Sequence, residues 1–477
     1  MRVLLLTPPY VPNFMRNARW DVIGISGSQW YPIWLAYCAG LLEKHGHTVK
    51  LVDAQVDNLT RQQVYDIALT FKPDLTVVYF SNKALINDIE VSESLHNLTG
   101  SQIVLVGSSA SIDSDKALLM SQEVNILAQG EFDYTILELA NGKPIHEIDG
   151  LRYKQGLQLP HQTVIHTNDS RQPVTADQLA DFPFVTRTYH KHLNTRNYHH
   201  SAHKYPFVDL FTGRGCEWGH CTFCLWPHTI NKGAGYRTRP IADVVNELWC
   251  IKVEMPEVKE VFIQDDTLPE WRCRELSEAI ISNHLAMCWS CYARANMSYK
   301  TMALMKRAGC RAMHVGYESA NPQILHNIKK GITKERMEKF TRDAHEAGLY
   351  IVADFVTGLP GETVDTIKET VAWAKNLKAD RYTITLPKPY PCTPFYEQLN
   401  KNGWLDSNGR PSYPGLSAEE IYRWNKWSVR QVYLNGGYLA RMLRQPSEWD
   451  RLVRSAKYVA PFLRQKADAC SEDSLEW

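Results

Sequence analysis

Strand-like apolar runs alternate with helix-period stretches in two separate blocks of this chain, and that alternation limits its fold more than any other feature. A parallel strand can be reached only through a connection long enough to carry a helix, so such alternation predicts parallel sheets with crossover helices. In residues 1–140 the apolar runs fall at 2–7 (RVLLLT), 48–52, 74–79 (DLTVVY), 102–106 and 124–128. Five strands of this kind predict a doubly wound sheet whose ligand crevice lies outside the carboxyl ends of the strands. The loops expected there run from Thr7 to Tyr10, Ser81 to Lys83, Gly107 to Ser111 and Gly130 to Asp133. Their small residues would let a large flat ligand approach the backbone.

The second block spans residues 206–395, with strands expected at FVDLFT, VFIQD, CWSCYAR, RAMHVGYE, YIVADFVTG and RYTITLP. Helix-period stretches such as IADVVNELW and TVDTIKETVAWAKNL follow them. Six units are too few for an eight-stranded barrel and predict an open, partial (β/α)6 barrel, again with its chemistry at the carboxyl ends of the strands. Between the blocks, residues 141–205 break into polar and proline-marked pieces, read as a linker with room for one small hairpin. The histidines of that linker, His190, His192, His199, His200 and His203, have no cysteine or carboxylate at ligand spacing, and loop roles are expected for them. Residues 396–477 are rich in Trp, Tyr, Arg and Leu and read as a C-terminal helical region. Helices bearing Trp404, Tyr422, Trp424, Trp427 and Tyr433 could cover the barrel mouth, but aromatic stripes at helical spacing are more often core, and a core role is expected for them.

A formal charge of +1, with 22% charged residues, gives no electrostatic reason to expect a nucleic-acid partner. No transmembrane segment is expected, and the apolar start MRVLLLTPPY is too short for a signal peptide. A cytoplasmic protein is the expectation, with peripheral membrane contact left open. Eleven cysteines in such a chain should stay reduced, so clustered ones are read first as metal ligands. Cys216, Cys221 and Cys224 lie within FTGRGCEWGHCTFCLWP, just after the first strand of the second block. Thiolates suit iron, and three of them leave one iron of a 4Fe-4S cubane open to a substrate's amino and carboxylate groups. The competing reading is a structural zinc site with His220 or His228 as fourth ligand, but such sites usually bring paired ligands from two separate knuckles. Cys288 and Cys291 sit three apart in a strand, hence on opposite faces, and packing is expected for them and for Cys310.

The cysteine loop and the motifs that follow it, FIQDDTLPE, GYESANPQIL, FVTGLPGET and PKPYPCTPFYE, resemble the radical S-adenosylmethionine superfamily over residues 206–395. Many members have three residues between the first two cysteines; here there are four, Glu217 to His220, as in cobalamin-associated members. The resemblance implies that Gln264, Asp265 and Asp266 help hold the methionyl amino group. It places Arg294 near the carboxylate, Glu318 and Ser319 at the ribose, and Gly358 through Gly361, including Pro360, beside the adenine. The alternative for the acidic trio is capping of the helix that follows. The implied chemistry is reductive cleavage of S-adenosylmethionine to a 5′-deoxyadenosyl radical that removes hydrogen from an unactivated carbon. An electron donor such as flavodoxin or ferredoxin is implied with it.

Residues 1–140 resemble the cobalamin-binding domain that precedes this barrel in a large subgroup, through TPPY after the first strand, QWYPIWLAYCAGLLEKHGH, VDA and GEFD. That implies a corrin stacked between this sheet and the barrel mouth, near Pro8, Tyr10, Ser81, Asn82, Gly107, Ser108, Gly130 and Glu131. The loop after the first strand, TPPYVPNF, contains no histidine, so cobalt would lack a protein imidazole from it. Methylation of the substrate radical is the commonest outcome for such an architecture. Radical ring rearrangement or cyclisation is the enzymatic alternative, and a non-catalytic iron-sulfur protein the alternative of another class. WYPIWLA, CTFCLWP and YRTRP resemble the hopanoid-biosynthesis radical enzymes of cyclitol head groups, which implies a small-molecule or lipid-linked, sugar-bearing substrate.

Overall fold

The computed structural model describes residues 1–16, 21–23, 27–112, 114–155 and 164–444, with positions 449 and 453. Most of 445–477, including Cys470, lies outside the described residues. The chain divides into two compact units. One is built mainly from the N-terminal strand and Ser28–His199 with Thr229–Arg239, the other mainly from His200–His228 and the chain from Pro240 onward.

The first unit is organised by a seven-stranded sheet. Its strands are β1 (Arg2–Thr7), β2 (Thr48–Asp53), β3 (Leu75–Tyr79), β4 (Gln102–Val106), β5 (Ile126–Ala128), β6 (Leu151–Gln155) and β7 (Val164–Thr167), in the order β2-β1-β3-β4-β5-β6-β7. The first five pair in parallel, with β1 between β2 and β3. All five expected strands form, and their order is that of a doubly wound sheet with its switch point between β1 and β3. Burial on both faces explains why these strands read as unbroken apolar runs: Leu4 and Leu6 pack with Val52, Val78, Leu105 and Leu127 in one core. Two further strands come from the segment read as a linker. β6 and β7 add antiparallel to the edge of the sheet, Ile126 opposite Tyr153 and Tyr153 opposite His166. Their incomplete burial, alternating along β6 and partial throughout β7, makes them far weaker signals in sequence.

In the second unit β8 (Phe207–Leu210), β9 (Glu260–Ile263), β10 (Trp289–Ala293), β11 (Cys310–Glu318), β12 (Tyr350–Val356) and β13 (Arg381–Thr385) pair in sequential order, all parallel. With a helix after each strand this is the partial β/α barrel expected. Val208, Ile263, Cys291, Val315 and Ile351 alternate with Asp209, Phe262, Tyr292, His314 and Val352 along the strands. The second set carries an aromatic cluster, with ring centroids 5.0 Å apart for Phe262 and Tyr292 and 5.4 Å for Tyr292 and His314. Beneath it the buried Glu260 binds His203 Nδ1 (3.2 Å) and Arg311 Nε (2.8 Å), which ties the starts of β9 and β11 to the approach to β8.

Helices Pro394–Asn402, Ala418–Tyr433 and Gly436–Leu443 follow the barrel. Phe395, Leu399, Tyr413, Leu416 and Ile421 form a core with Ile367, and Trp404 and Trp424 pack against it. Trp424 meets Trp427 edge-on at 5.1 Å, and Tyr433 packs against Tyr382 of β13. These aromatic residues therefore serve packing, as their helical spacing suggested.

Candidate active site

The loop Cys216–Cys224 leaves the end of β8 and is seated on its neighbours by its own backbone and one indole. Trp218 Nε1 donates to Lys329 O (2.9 Å), and Thr222 N donates to Ile328 O (3.1 Å). On the other side Thr222 O accepts from Phe395 N (3.1 Å), at the start of the first C-terminal helix. Cys216, Cys221 and Cys224 form no disulfide and are half-buried. Burial pushes the Cys221 thiol up, while the nearby Lys330 and Arg294 charges favour its thiolate. The histidines that a zinc site would need are engaged elsewhere. His228 Nε2 lies 3.2 Å from Cys221 O, and His220 packs edge-on against Trp218 at 5.0 Å.

The carboxyl ends of the next strands bring together some of the expected residues. Gln264 continues β9, is 6% exposed, and its Oε1 is buried without a hydrogen-bond partner. Such an atom costs roughly 1–3 kcal/mol until something donates to it, and a methionyl ammonium is a donor of suitable chemistry. Asp265 is instead engaged within the fold, accepting from Thr212 N (2.7 Å) and Thr212 Oγ1 (2.6 Å) and so locking β9 to β8. Asp266 is half-buried at the rim. None of the three caps the following helix, which begins at Glu270 with Pro269 at its N-cap.

Arg294, one residue past β10, donates from Nη2 to Lys330 O (2.7 Å) and lies over the Trp218 ring at 4.8 Å. Glu318 ends β11 with φ 63°, a left-handed backbone that a non-glycine residue adopts at a cost, after a register shift between Gly316 and Glu318. Its buried carboxylate accepts from Lys330 Nζ at 2.7 Å. Ser319 is buried and 3.2 Å from the Thr370 hydroxyl, an internal contact. Gly358 has φ 104°, and a Cβ there would sit 2.7 Å from Ile421 Cγ2. Pro360 O accepts from Asn327 Nδ2 (2.9 Å), and Gly358 O accepts from Tyr413 (2.8 Å). Glu362 closes the turn by accepting from the backbone N–H groups of Gly358 and Leu359, and burial raises its pKa to about 8. Lys330, Trp218 and Glu362 were not singled out from sequence. Lys330 is one of two adjacent lysines in a helix-to-loop turn, and nothing local distinguishes it from the exposed Lys329.

Cys291 and Cys310 are buried in the strands and Cys273 in the helix after β9. The close Cys273 thiol and burial hold the Cys291 thiol well above the ordinary range, against the hydrogen bond to Cys310, which lowers it. They are packing residues, as expected.

In the first unit, two of the loops expected to bear a ligand meet at the switch point. Tyr10 OH donates to Lys83 O (3.3 Å), Tyr10 N donates to Gln55 Oε1 (2.9 Å), and Pro8 is buried beside them. Thr7 Oγ1 and Asn82 Oδ1 are buried without partners, atoms that a ligand bearing several amides could satisfy. Other residues expected here have internal roles. Ser81 is fully buried, its N–H bound to Asp88 and its hydroxyl accepting from Lys83 N. At Gly107 (φ 111°) the space a Cβ would need is filled by the Tyr79 ring at 2.9 Å, so its smallness admits Tyr79, and Ser108 hydrogen-bonds the Tyr79 hydroxyl. Glu131 is consumed by Arg237 (2.7 and 2.9 Å) and by Val174 N (2.7 Å). Gly130, with φ 69°, is buried, its N–H donating to Ser111 Oγ (2.9 Å), and a Cβ there would lie 3.8 Å from Ile230 O.

Residues 210–374 match the Radical SAM superfamily, and residues 15–140 match the B12 binding domain. The chain carries a radical SAM domain and a B12-binding domain. It is a radical SAM enzyme whose cofactors are a 4Fe-4S cluster, S-adenosylmethionine and cobalamin. Among relatives of these radical SAM and B12-binding domains, an uncharacterized methyltransferase of Pyrococcus horikoshii is 27% identical over 85% of this chain and 84% of its own. An anaerobic magnesium-protoporphyrin IX monomethyl ester cyclase of Rubrivivax gelatinosus is 23% identical over 84% of this chain and 70% of its own. The fold is shared with the radical S-adenosylmethionine methyltransferase TsrM of Kitasatospora setae, solved with cobalamin and a 4Fe-4S cluster. Its TM-score is 0.65 at 18% identity, over 84% of this chain and 78% of that one. Among the described residues no helix is long and apolar enough to cross a membrane.

Proposed function

We propose that this enzyme methylates an unactivated carbon of a small-molecule substrate. The observation that carries the reading is the three-thiol loop packed against Arg294 through Trp218, with Glu318 and the unpartnered Gln264 Oε1 at the carboxyl ends of β11 and β9, in a chain that also has a B12-binding domain. Cys216, Cys221 and Cys224 would hold the cluster. Gln264 would accept from the methionyl ammonium, Asp266 would add its charge, and Arg294 would hold the carboxylate bidentately. Glu318 would receive the ribose hydroxyls, and the turn of Gly358 and Pro360 would bear on the adenine. Pro8, Tyr10, Asn82 and Gly130, at the carboxyl edge of the first sheet, are the residues proposed for cobalamin. When bound, the three cofactors supply reductive carbon–sulfur cleavage, hydrogen abstraction and methyl delivery, and the protein aligns the reacting atoms and keeps water from the radical.

The methyltransferase name of the Pyrococcus relative supports this reading. The cyclase name of the Rubrivivax relative keeps radical cyclisation as the second one. The finer proposal of a sugar-bearing lipid substrate met at a membrane surface rests on WYPIWLA, CTFCLWP and YRTRP, and that of flavodoxin or ferredoxin as reductant rests on the reductive cleavage of S-adenosylmethionine. The test incubates anaerobically reconstituted protein, reductant and S-adenosylmethionine with metabolite fractions. Methylation yields 5′-deoxyadenosine together with S-adenosylhomocysteine and a product heavier by one methylene. Deoxyadenosine with an unmethylated, rearranged product selects cyclisation, and no deoxyadenosine at all refutes the enzyme reading.

A further inference from the structure

The cluster loop is fastened to one turn, Ile328–Gly331, at three places. Two are the hydrogen bonds of Trp218 to Lys329 O and of Thr222 to Ile328 O. The third is steric: Gly331, at φ 69°, has the Trp218 indole where a side chain would begin. Lys330 lies at the centre of this turn. Its backbone oxygen takes the Arg294 guanidinium at 2.7 Å, and its ammonium is 2.7 Å from Glu318 Oε1. Lys330 is 6% exposed, and Glu318 is 7% exposed. Arg294 in turn lies on the Trp218 ring. Loop, β10 end and β11 end therefore converge on one lysine.

We propose that Lys330 is a positioning residue that fixes Glu318 and Arg294 relative to the cluster loop and supplies fixed positive charge beside Cys221. The first role follows from geometry. Glu318 sits in a strained left-handed conformation that needs outside support, and its buried carboxylate has a specific partner in this ammonium. The second follows from charge. Although burial works against the ammonium, the adjacent Glu318 carboxylate outweighs it and keeps Lys330 charged. A buried cation beside an anionic cluster stabilises the reduced state, since the added electron makes the cluster more negative. A neutral residue here would leave Glu318 unpaired and cut the electrostatic support of the cluster together.

This inference rests on reading Cys216, Cys221 and Cys224 as cluster ligands, so wild-type protein is measured in parallel. Lys330→Met and Lys330→Arg are reconstituted anaerobically, and iron content, S-adenosylmethionine affinity and cluster midpoint potential are measured on each. Trp218 near-ultraviolet dichroism is recorded on the metal-free proteins. The methionine variant should lose at least tenfold in affinity, shift the midpoint to more negative potential and alter the Trp218 signal, with arginine recovering most of the potential. A methionine variant with wild-type affinity and potential overturns the proposal. A wild-type protein that itself takes up no cluster overturns the underlying reading instead. Should the methionine variant fail to fold, Lys330→Gln replaces it, and an arginine variant no better than Lys330→Gln in potential also overturns the proposal.

Discussion

At the scale of single residues, buried groups with unfilled valence separate recognition from support more sharply than residue type does. Gln264, Asp265 and Asp266 are adjacent and all polar, yet Asp265 spends both oxygens on Thr212 while Gln264 Oε1 has no partner. Replacing Gln264 by leucine removes an uncompensated buried acceptor, so the ligand-free protein should unfold at an equal or higher denaturant concentration. A hydrogen bond to a charged group is worth roughly 1.5–3 kcal/mol, which predicts S-adenosylmethionine binding weaker by about tenfold or more. Equilibrium binding and urea unfolding on one preparation read both effects. A variant that loses stability yet keeps full affinity would show that Gln264 supports the fold and not the ligand. Asp265→Ala should do the reverse, because it strands the Thr212 N–H and loosens β9 from β8.

Whole elements were legible in sequence where one physical signal dominates, and illegible where the fold itself creates the signal. β1 to β5 were readable as largely buried apolar runs, and β8 to β13, which carry polar residues such as Asp209 and His314, through their regular alternation with helix-period stretches. β6 and β7 showed only as room for one small hairpin and not as part of the first sheet, because half-exposed strands among prolines and polar residues carry a weak apolar signal. The three cysteines stand out in sequence by sharing one short loop, whereas Lys330 acquires its meaning only when β10, β11 and the cysteine loop meet around it. Glu362 belongs to the same class, since its neighbours in GLPGE gave no hint that it would be buried under Tyr413. That turn yields a pH prediction. Burial raises the Glu362 pKa from the ordinary glutamate value of 4.5 to about 8, despite the two backbone N–H groups it accepts from. A carboxyl raised in the native state holds a proton that the unfolded chain has released. Its contribution is therefore fully present below about pH 4.5 and is lost as pH climbs through about 8. Within that window the slope approaches about 1.4 kcal/mol per pH unit. Glu362→Gln keeps a neutral acceptor at the turn and should flatten the slope between about pH 5 and 8, seen as unfolding midpoints that converge at low pH and separate at high pH. Parallel curves for the two proteins would mean that Glu362 ionises freely in the native state.

On the scale of the whole molecule, the units are not cut from the chain in sequence order. Thr229–Arg239, which follows the cluster loop directly, is counted with the N-terminal unit, and Arg237 is what makes that return specific. Its guanidinium grips Glu131, the residue after Gly130, in a bidentate pair with Glu131 1% and Arg237 12% exposed. Glu131 also accepts from Val174 N, so one carboxylate joins the end of β5, the chain beyond β7 and the returning segment. Desolvation makes such a pair a poor source of net stability but an expensive one to break, because the survivor keeps its charge without its partner. Arg237→Met should accordingly cost about 3–5 kcal/mol. Glu131→Gln together with Arg237→Met should cost less than the single change, since no buried charge is then stranded. Chemical unfolding of the four proteins in a double-mutant cycle, with hydrogen exchange of β5 to β7 as a local readout, measures the coupling directly. Equal stability of the Arg237→Met and wild-type proteins would show the returning segment to be loosely held, and a double variant worse than either single one would show that Glu131 and Arg237 act through separate partners.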